Sequence, residues 1–311
     1  MDDLTLFVIE TMRETWPDLG GKVTEVDEAR QIVNNINLPS EPLEVLRTND
    51  ITVPSRSNHQ IPVRIYLPLN FEKNSPAIIY FHGGGWVLGG IETHDHLTRE
   101  LANATNAVVI SVDYRLAPEH HFPIPLEDCA DAVKYVFNHC EELDIDLNRI
   151  AVGGDSAGGN LSAAICLMAK EGLIPMPMYQ LLICPVVDAD FSKPSYGGSN
   201  EFRFLTKTHM IWYWDKYIPE PESRKNPLAT PLNAKDLSGL PEAYIATAEH
   251  DPLLSEGEQY ARKLEQFGNK VTYRCFKDLA HGFSNVSEFL PAAKQANDEI
   301  FDALRCAFWD N

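Results

Sequence analysis

The chain has 311 residues, of which 44% are hydrophobic, so it is long and apolar enough to bury a sizeable core and is not a disordered polymer. Its formal net charge of -19 argues against nucleic acid or an anionic membrane surface as a partner, since both select basic surfaces. No stretch is apolar for the roughly 18 residues a membrane span needs. The acidic start Met1-Asp2-Asp3 is unlike a signal peptide and points to an intracellular, cytoplasmic address. The six cysteines form no C-x-x-C pair and read as reduced, mostly buried thiols.

Residues 1 to about 45 carry helical patterning. Leu4, Phe7, Val8 and Met12 recur at helical spacing, and a second helix is expected from about Glu25 to Ile36. From Val45 to Pro68 the pattern turns to alternation, with Ile61, Val63, Ile65 and Leu67 on one face of a half-buried strand. Pro76 to Phe81 is continuously apolar, as in a strand buried on both faces, and runs into His82-Gly83-Gly84-Gly85-Trp86. A helix around Asp95 to Asn103 precedes the buried strand Ala107 to Val112, which ends in Asp113-Tyr114-Arg115-Leu116-Ala117-Pro118-Glu119. Helix Leu126 to Cys140 then leads to strand Arg149 to Val152. Strands follow at Gln180 to Cys184, Ala243 to Ala248 and Lys270 to Phe276, with helices at Glu256 to Phe267 and Leu290 to Phe308.

Strands alternating with helices predict an α/β fold with a mostly parallel sheet covered on both faces. Ligands in such sheets bind at the carboxyl ends of the strands, where every glycine-rich or charged motif of this chain falls. Residues 190 to 225 break the rhythm with an aromatic insertion holding Phe202, Phe204, Trp212, Tyr213, Trp214 and Tyr217. The expected organisation is N-terminal cap helices (1–45), a first core part (46–189), a cap insertion (190–225) and a second core part (226–311).

Ser156 sits where a strand turns sharply into a helix, in Gly154-Asp155-Ser156-Ala157-Gly158. This fits the G-x-S-x-G nucleophile elbow, whose small residues let strand and helix pack around a tight turn. On this motif alone a Gly-Ser loop without chemistry is the competing reading. Asp251 lies just past one strand end and His281 just past the last. Ser156, Asp251 and His281 therefore follow the serine–acid–histidine order of α/β-hydrolases. A serine hydroxyl is a poor nucleophile at neutral pH, so His281 would remove its proton, and Asp251 would hold the imidazole in the right tautomer. Glu249, two residues before Asp251, is the alternative acid; triad acids sit in the loop after the strand, which favours Asp251. An oxyanion needs backbone N–H donors already aimed at it, and Gly84, Gly85 and Ala157 are the candidates.

These motifs together resemble the hormone-sensitive-lipase family of esterases, bacterial family IV. Tyr114-Arg115-Leu116-Ala117-Pro118-Glu119, Asp251-Pro252-Leu253 and His281-Gly282-Phe283 belong to the same likeness, which spans roughly residues 75 to 285. The resemblance implies an α/β-hydrolase fold with a helical cap and cofactor-free hydrolysis of short- to medium-chain carboxylic esters through an acyl-enzyme. It places the triad at Ser156, Asp251 and His281 and the oxyanion donors at Gly84, Gly85 and Ala157, and leaves His82 to shape the loop. One departure is Ser255, where family members often carry an acidic residue.

The partner implied is a small-molecule ester, and a homodimer is compatible with the reading. The plant gibberellin receptors resemble the same family but lack the catalytic histidine, which is present here as His281. Ester and amide leaving groups are not separated by sequence, so a deacetylase or amidase stays open. His94 with His96, and His120 with His121, read as surface residues and not as a metal site, which would need three or four convergent ligands. Leu88 stands where a dinucleotide fingerprint would need its third glycine. Trp86 is expected beside the reacting carbonyl. Phe202, Phe204, Trp212 and Tyr213, with Leu4, Phe7 and Val8, are expected to close an apolar substrate pocket over Ser156.

Overall fold

The computed structural model describes residues 1–36, 42–197 and 202–310. The expected N-terminal and inserted segments therefore include residues, 37–41 and 198–201, that lie outside the described ones. Eight strands form one sheet: β1 (Arg47–Pro54), β2 (Gln60–Leu67), β3 (Ser75–Phe81), β4 (Val108–Val112), β5 (Ile145–Asp155), β6 (Tyr179–Ile183), β7 (Glu242–His250) and β8 (Val271–Ala280). Their order is β1-β2-β4-β3-β5-β6-β7-β8, with the β1/β2 and β2/β4 pairs antiparallel and all others parallel. The helices are α1 (Asp3–Thr15), α2 (Val26–Asn34), α3 (Asp95–Thr105), α4 (Ile124–Asn138), α5 (Ala157–Lys170), α6 (Lys207–Tyr217), α7 (Leu254–Gln266) and α8 (Pro291–Trp309).

Both faces of the central strands are apolar, and each face has its own core. Ile79, Phe81, Val152 and Leu182 point to the side covered by α4, α5 and α7. Ile78, Tyr80, Ala151, Leu181 and Tyr244 point to the other, covered by α3 and α8. This is why β3 and β4 are buried at every position and read as unbroken apolar runs.

The segment from Val45 to Pro68 is a hairpin and not a single strand. Ser55 N donates to His59 O at 2.8 Å, and Asn58 takes the left-handed backbone (φ 57°) that this polar turn requires. The alternation seen in the sequence belongs to β2 alone; β1 is a largely exposed edge.

Register lines up the ends of the strands. Phe81 pairs with Val112 on one side and Gly154 on the other, Asp155 pairs with Ile183, and His250 pairs with Ala280. The loops that follow β3, β5, β7 and β8 thus leave the sheet side by side.

Helices α1, α2 and α6 meet at these ends. Trp212 Nε1 donates to Thr24 O at 3.0 Å, and the rings of Trp16 and Phe204 meet edge-on at 5.1 Å. The inward stripe of α1 is Thr5, Val8 and Ile9, with Met12 partly buried. Leu4 and Phe7, expected in the pocket, are instead 45% and 64% exposed. At about 100° per residue, a stripe that includes Ile9 turns Phe7 to the far side of the helix. Helix α2 is tied down by Arg30. Its guanidinium donates to Val87 O and Ala117 O, both at 3.0 Å, and to both oxygens of Glu119 at 2.6 and 2.8 Å. Helix α6 is held by rings: Trp86, fully buried, stacks on Tyr217 at 4.2 Å and meets Trp214 at 4.8 Å.

Two outcomes follow from these anchors. Trp214→Ala should cost about 3–5 kcal/mol, the usual result of emptying a buried aromatic site; a urea midpoint corresponding to less than about 1 kcal/mol would show that the ring cluster does not hold α6. The hydrogen bond from Arg30 holds the Glu119 carboxyl down to about 2. A depressed carboxyl stabilises the folded state above its unfolded value, near 4.3, and that contribution is lost as pH falls through the folded value. The difference in melting temperature between wild type and Glu119→Gln should therefore be largest above about pH 5 and shrink towards pH 2. A difference that is constant across that window would contradict the pairing.

Candidate active site

Ser156 joins β5 to α5 with φ 54° and ψ -115°, a backbone region that L residues avoid. The turn is held on both sides, since Ser156 N donates to Ile183 O at 2.8 Å and Ser156 O accepts from Val186 N at 3.2 Å. It also requires a glycine at the second position of the helix: a Cβ at Gly158 would lie 1.8 Å from Phe81 O.

The paired residues His250 and Ala280 hand the chain on to Asp251 and His281, which consequently emerge as neighbours. His281 Nδ1 lies 2.8 Å from Asp251 Oδ2, and His281 Nε2 lies 3.0 Å from Ser156 Oγ. Asp251 is 1% exposed, and its Oδ1 accepts from Leu253 N at 2.8 Å. With a carboxylate at Nδ1, the ring holds its proton there and turns a lone pair at Nε2 towards the serine. Glu249 faces away. It accepts from Asp278 N at 3.0 Å and from Lys277 Nζ at 3.1 Å, and these bonds hold its carboxyl below the ordinary range.

The glycine run after β3 lies against the elbow. The backbone N–H groups of Gly84, Gly85 and Ala157 find no protein acceptor among the described residues. Ala157 opens α5, so its N–H belongs to the positive end of that helix. Gly85 has φ 61°, and a Cβ there would sit 2.1 Å from the Tyr213 ring. His82 is fully buried and stacks on Tyr114 at 4.3 Å. Burial, with His94 nearby, pushes it down to about 3, so the ring is neutral and its Nδ1 donates to Gly83 O at 2.7 Å.

The aromatic residues named from the sequence divide. Phe204 comes within 3.6 Å of where a Cβ on Gly282 would stand, next to His281, and Tyr213 packs on Gly85. Trp212 turns to the α1–α2 connection, and the Phe202 ring lies 5.6 Å from that of His250. Trp86, expected beside the reacting carbonyl, is turned the other way, into its stack with Tyr217; a φ of 61° reverses the chain at that residue.

Other residues at the site escaped the sequence reading. Met12 and Trp16 of the α1 segment reach Gly282 and Phe204. Cys184 Sγ comes within 4.8 Å of ligand-type atoms of Asp251 and His281, and burial raises its thiol well above the ordinary range. A second group of potential ligand atoms, Glu249, His250 and Asp278, gathers within the same distance at the rim. His94, read as a surface residue, is buried beside Asp155. The apolar run that ends at Cys184 was legible as a strand, but which atom its last residue would approach was not.

The arrangement is one that can deliver a proton-stripped serine oxygen to a carbonyl. Asp251→Asn should lower kcat by about 10⁴ by favouring the wrong tautomer of His281. Glu249→Gln should leave it within about threefold, in keeping with the small effects of surface substitutions. The reverse ranking, in folded variants assayed side by side, would assign the acid to Glu249.

Three comparisons with known proteins agree. A family model described as the α/β hydrolase fold matches residues 78–285. The chain is 38% identical to carboxylesterase NlhH of Mycobacterium tuberculosis over 304 residues, covering 96% of this chain and 95% of that protein. It is 32% identical to ethyl acetate hydrolase of Pseudomonas putida, with 96% of each covered. Among solved structures it is similar to the hyperthermophilic esterase of the archaeon Pyrobaculum calidifontis, at 36% identity and a TM-score of 0.89, covering 98% of both chains.

Proposed function

The chain belongs to the α/β-hydrolase fold family and hydrolyses carboxylic esters, and from that premise we propose that Ser156, His281 and Asp251 carry the reaction through an acyl-enzyme. The observation that supports this most is the unbroken hydrogen-bonded line from Asp251 through His281 to Ser156 Oγ. His281 Nε2 takes the hydroxyl proton as Ser156 Oγ attacks the ester carbonyl carbon. The carbonyl oxygen becomes an oxyanion and accepts from the N–H groups of Gly84, Gly85 and Ala157. The imidazolium, stabilised by Asp251, returns its proton to the departing alcohol, and the acyl group stays on Ser156. Water then repeats the sequence: His281 removes its proton, hydroxide adds to the acyl carbon, and Ser156 leaves with the proton from His281.

Helices α1, α2 and α6 act as a cap over this site. Phe204, Tyr213, Trp16 and Met12 face the acyl group in this reading, whereas Trp86 and Trp212 build the cap itself. Such a pocket has limited depth. Each buried methylene gains about 0.8 kcal/mol, and carbons beyond the pocket gain nothing. Short acyl chains, roughly two to eight carbons as the family resemblance implies, are therefore the preferred substrates, and the acidic surface disfavours adsorption to anionic lipid. An intracellular, cytoplasmic setting fits the free thiols, and self-association as a homodimer is compatible with the same reading; among the described residues no helix is long and apolar enough to cross a membrane.

Replacing Ser156 by Ala should lower kcat by about 10⁵–10⁶ without unfolding the protein. Near-normal turnover by folded Ser156→Ala would end the serine mechanism. Across p-nitrophenyl esters from acetate to palmitate, kcat/KM should peak at short chains and then fall; a maximum at palmitate, or a jump when micelles appear, would contradict the closed pocket.

A further inference from the structure

Asp155 precedes the nucleophile and is a buried carboxylate that the reaction itself does not use. Its Oδ1 accepts from Tyr80 OH at 2.7 Å and from Gly83 N at 3.1 Å, and its Oδ2 from Asn285 Nδ2 at 3.4 Å. His94 Nε2 lies 3.2 Å from Oδ1 and 3.3 Å from Oδ2. Among the described residues, His94 is the one cation-forming side chain in contact with Asp155. Burial by itself would raise this carboxyl, yet His94 and the Tyr80 hydroxyl outweigh burial and hold it below the ordinary carboxylate range.

The loop between β3 and α3 is pinned at both ends through Asp155 and His94. It begins at Gly83, whose N–H is shared between Asp155 Oδ1 at 3.1 Å and His94 Nε2 at 3.2 Å. It ends at Thr93 and His94: Thr93 Oγ1 bonds both N and O of Gly90 and lies 2.9 Å from His94 Nδ1. Asp155 and His94 together are therefore the knot, and the carboxylate, which can only accept, takes its bond from His94 Nε2.

We infer that His94 is a positioning residue for the oxyanion loop: by contacting both Gly83 N and the Asp155 carboxylate, it fixes the Gly83 peptide and with it the direction of the Gly84 and Gly85 N–H groups. This rests on the reading of those groups as oxyanion donors. Without the ring, Gly83 N loses its neighbour Nε2, and Asp155 turns towards Tyr80 and Asn285, which weakens its hold on Gly83 N. The donors then point imperfectly at a charge that exists only in the transition state. Such a defect lowers kcat and spares KM. A merely structural role would lower the melting temperature without this split.

The test compares His94→Leu, His94→Gln and His94→Asn on p-nitrophenyl acetate, with kcat expressed per titratable active site and melting temperatures recorded. Gln places an amide donor near the position of Nε2; Asn is too short to do so. His94→Leu should lose roughly 10–100-fold in kcat, part of what removal of an oxyanion donor costs, with KM within about threefold. His94→Gln should return to within about fivefold of wild type, and His94→Asn should stay close to the Leu variant. A folded His94→Leu with kcat within about twofold of wild type, or a Gln variant no better than Asn, would overturn the inference. If the Leu variant does not fold, the Gln-to-Asn comparison alone decides. Ser156→Ala is run alongside: hydrolysis that survives in it would overturn the reading of the site, whereas an intact serine dependence with an indifferent His94 would overturn only this inference.

Discussion

The architecture of the site depends on one close approach, that of the β5–α5 turn to the end of β3. A Cβ at Gly154 would lie 2.2 Å from Phe81 O, and one at Gly158 would lie 1.8 Å from the same atom. No side chain fits between these backbones, so the first turn of α5 sits directly on the strand end. Two consequences follow from this contact. Ser156 is forced into a backbone conformation that lifts its hydroxyl off the sheet. The chain leaving Phe81 also runs beside the first turn of α5: a Cβ at Gly158 would lie 2.9 Å from His82 O, and one at Gly83 would lie 2.3 Å from Asp155 Oδ2. The far side of the site depends on register instead: because His250 pairs with Ala280, Asp251 and His281 arrive together.

Much of this was legible in the sequence because the chemistry is carried by short, local motifs. The elbow, the glycine run, Asp251 and His281 each sit at a strand end, and strand ends of a parallel sheet converge. Runs apolar on both faces marked β3 and β4 for the same reason that they are buried. Asp251 could be preferred to Glu249 by its place in the loop, and the structure puts the two carboxyls in different environments, one against His281 and the other against Lys277.

What the sequence withheld was direction. The β1–β2 hairpin was masked because the polar turn at residues 55–59 interrupts a pattern that resumes with the same parity. Periodicity in α1 pointed to Leu4 and Phe7, yet the burial of Thr5 and Ile9 sets the stripe, and those two large residues face solvent. Trp86 follows Gly84 and Gly85 in sequence but leaves them in space, because a left-handed backbone at that residue sends its ring to Tyr217. His94 read as a surface histidine since its immediate neighbours, Glu92, Thr93, Asp95 and His96, are all polar; its partner, Asp155, is 61 residues away. For Trp86 and His94 the deciding contact is non-local, and local pattern carries no trace of it.

The central claim is that Ser156 is the nucleophile because His281 and Asp251 face it. Its most direct measurement is covalent: incubation with diethyl p-nitrophenyl phosphate, followed by intact mass and peptide mapping. One diethylphosphoryl group per chain is expected, on Ser156, formed as activity is lost and absent from Ser156→Ala. An active, folded enzyme that carries no adduct on Ser156, or that loses activity with the label elsewhere, would contradict it.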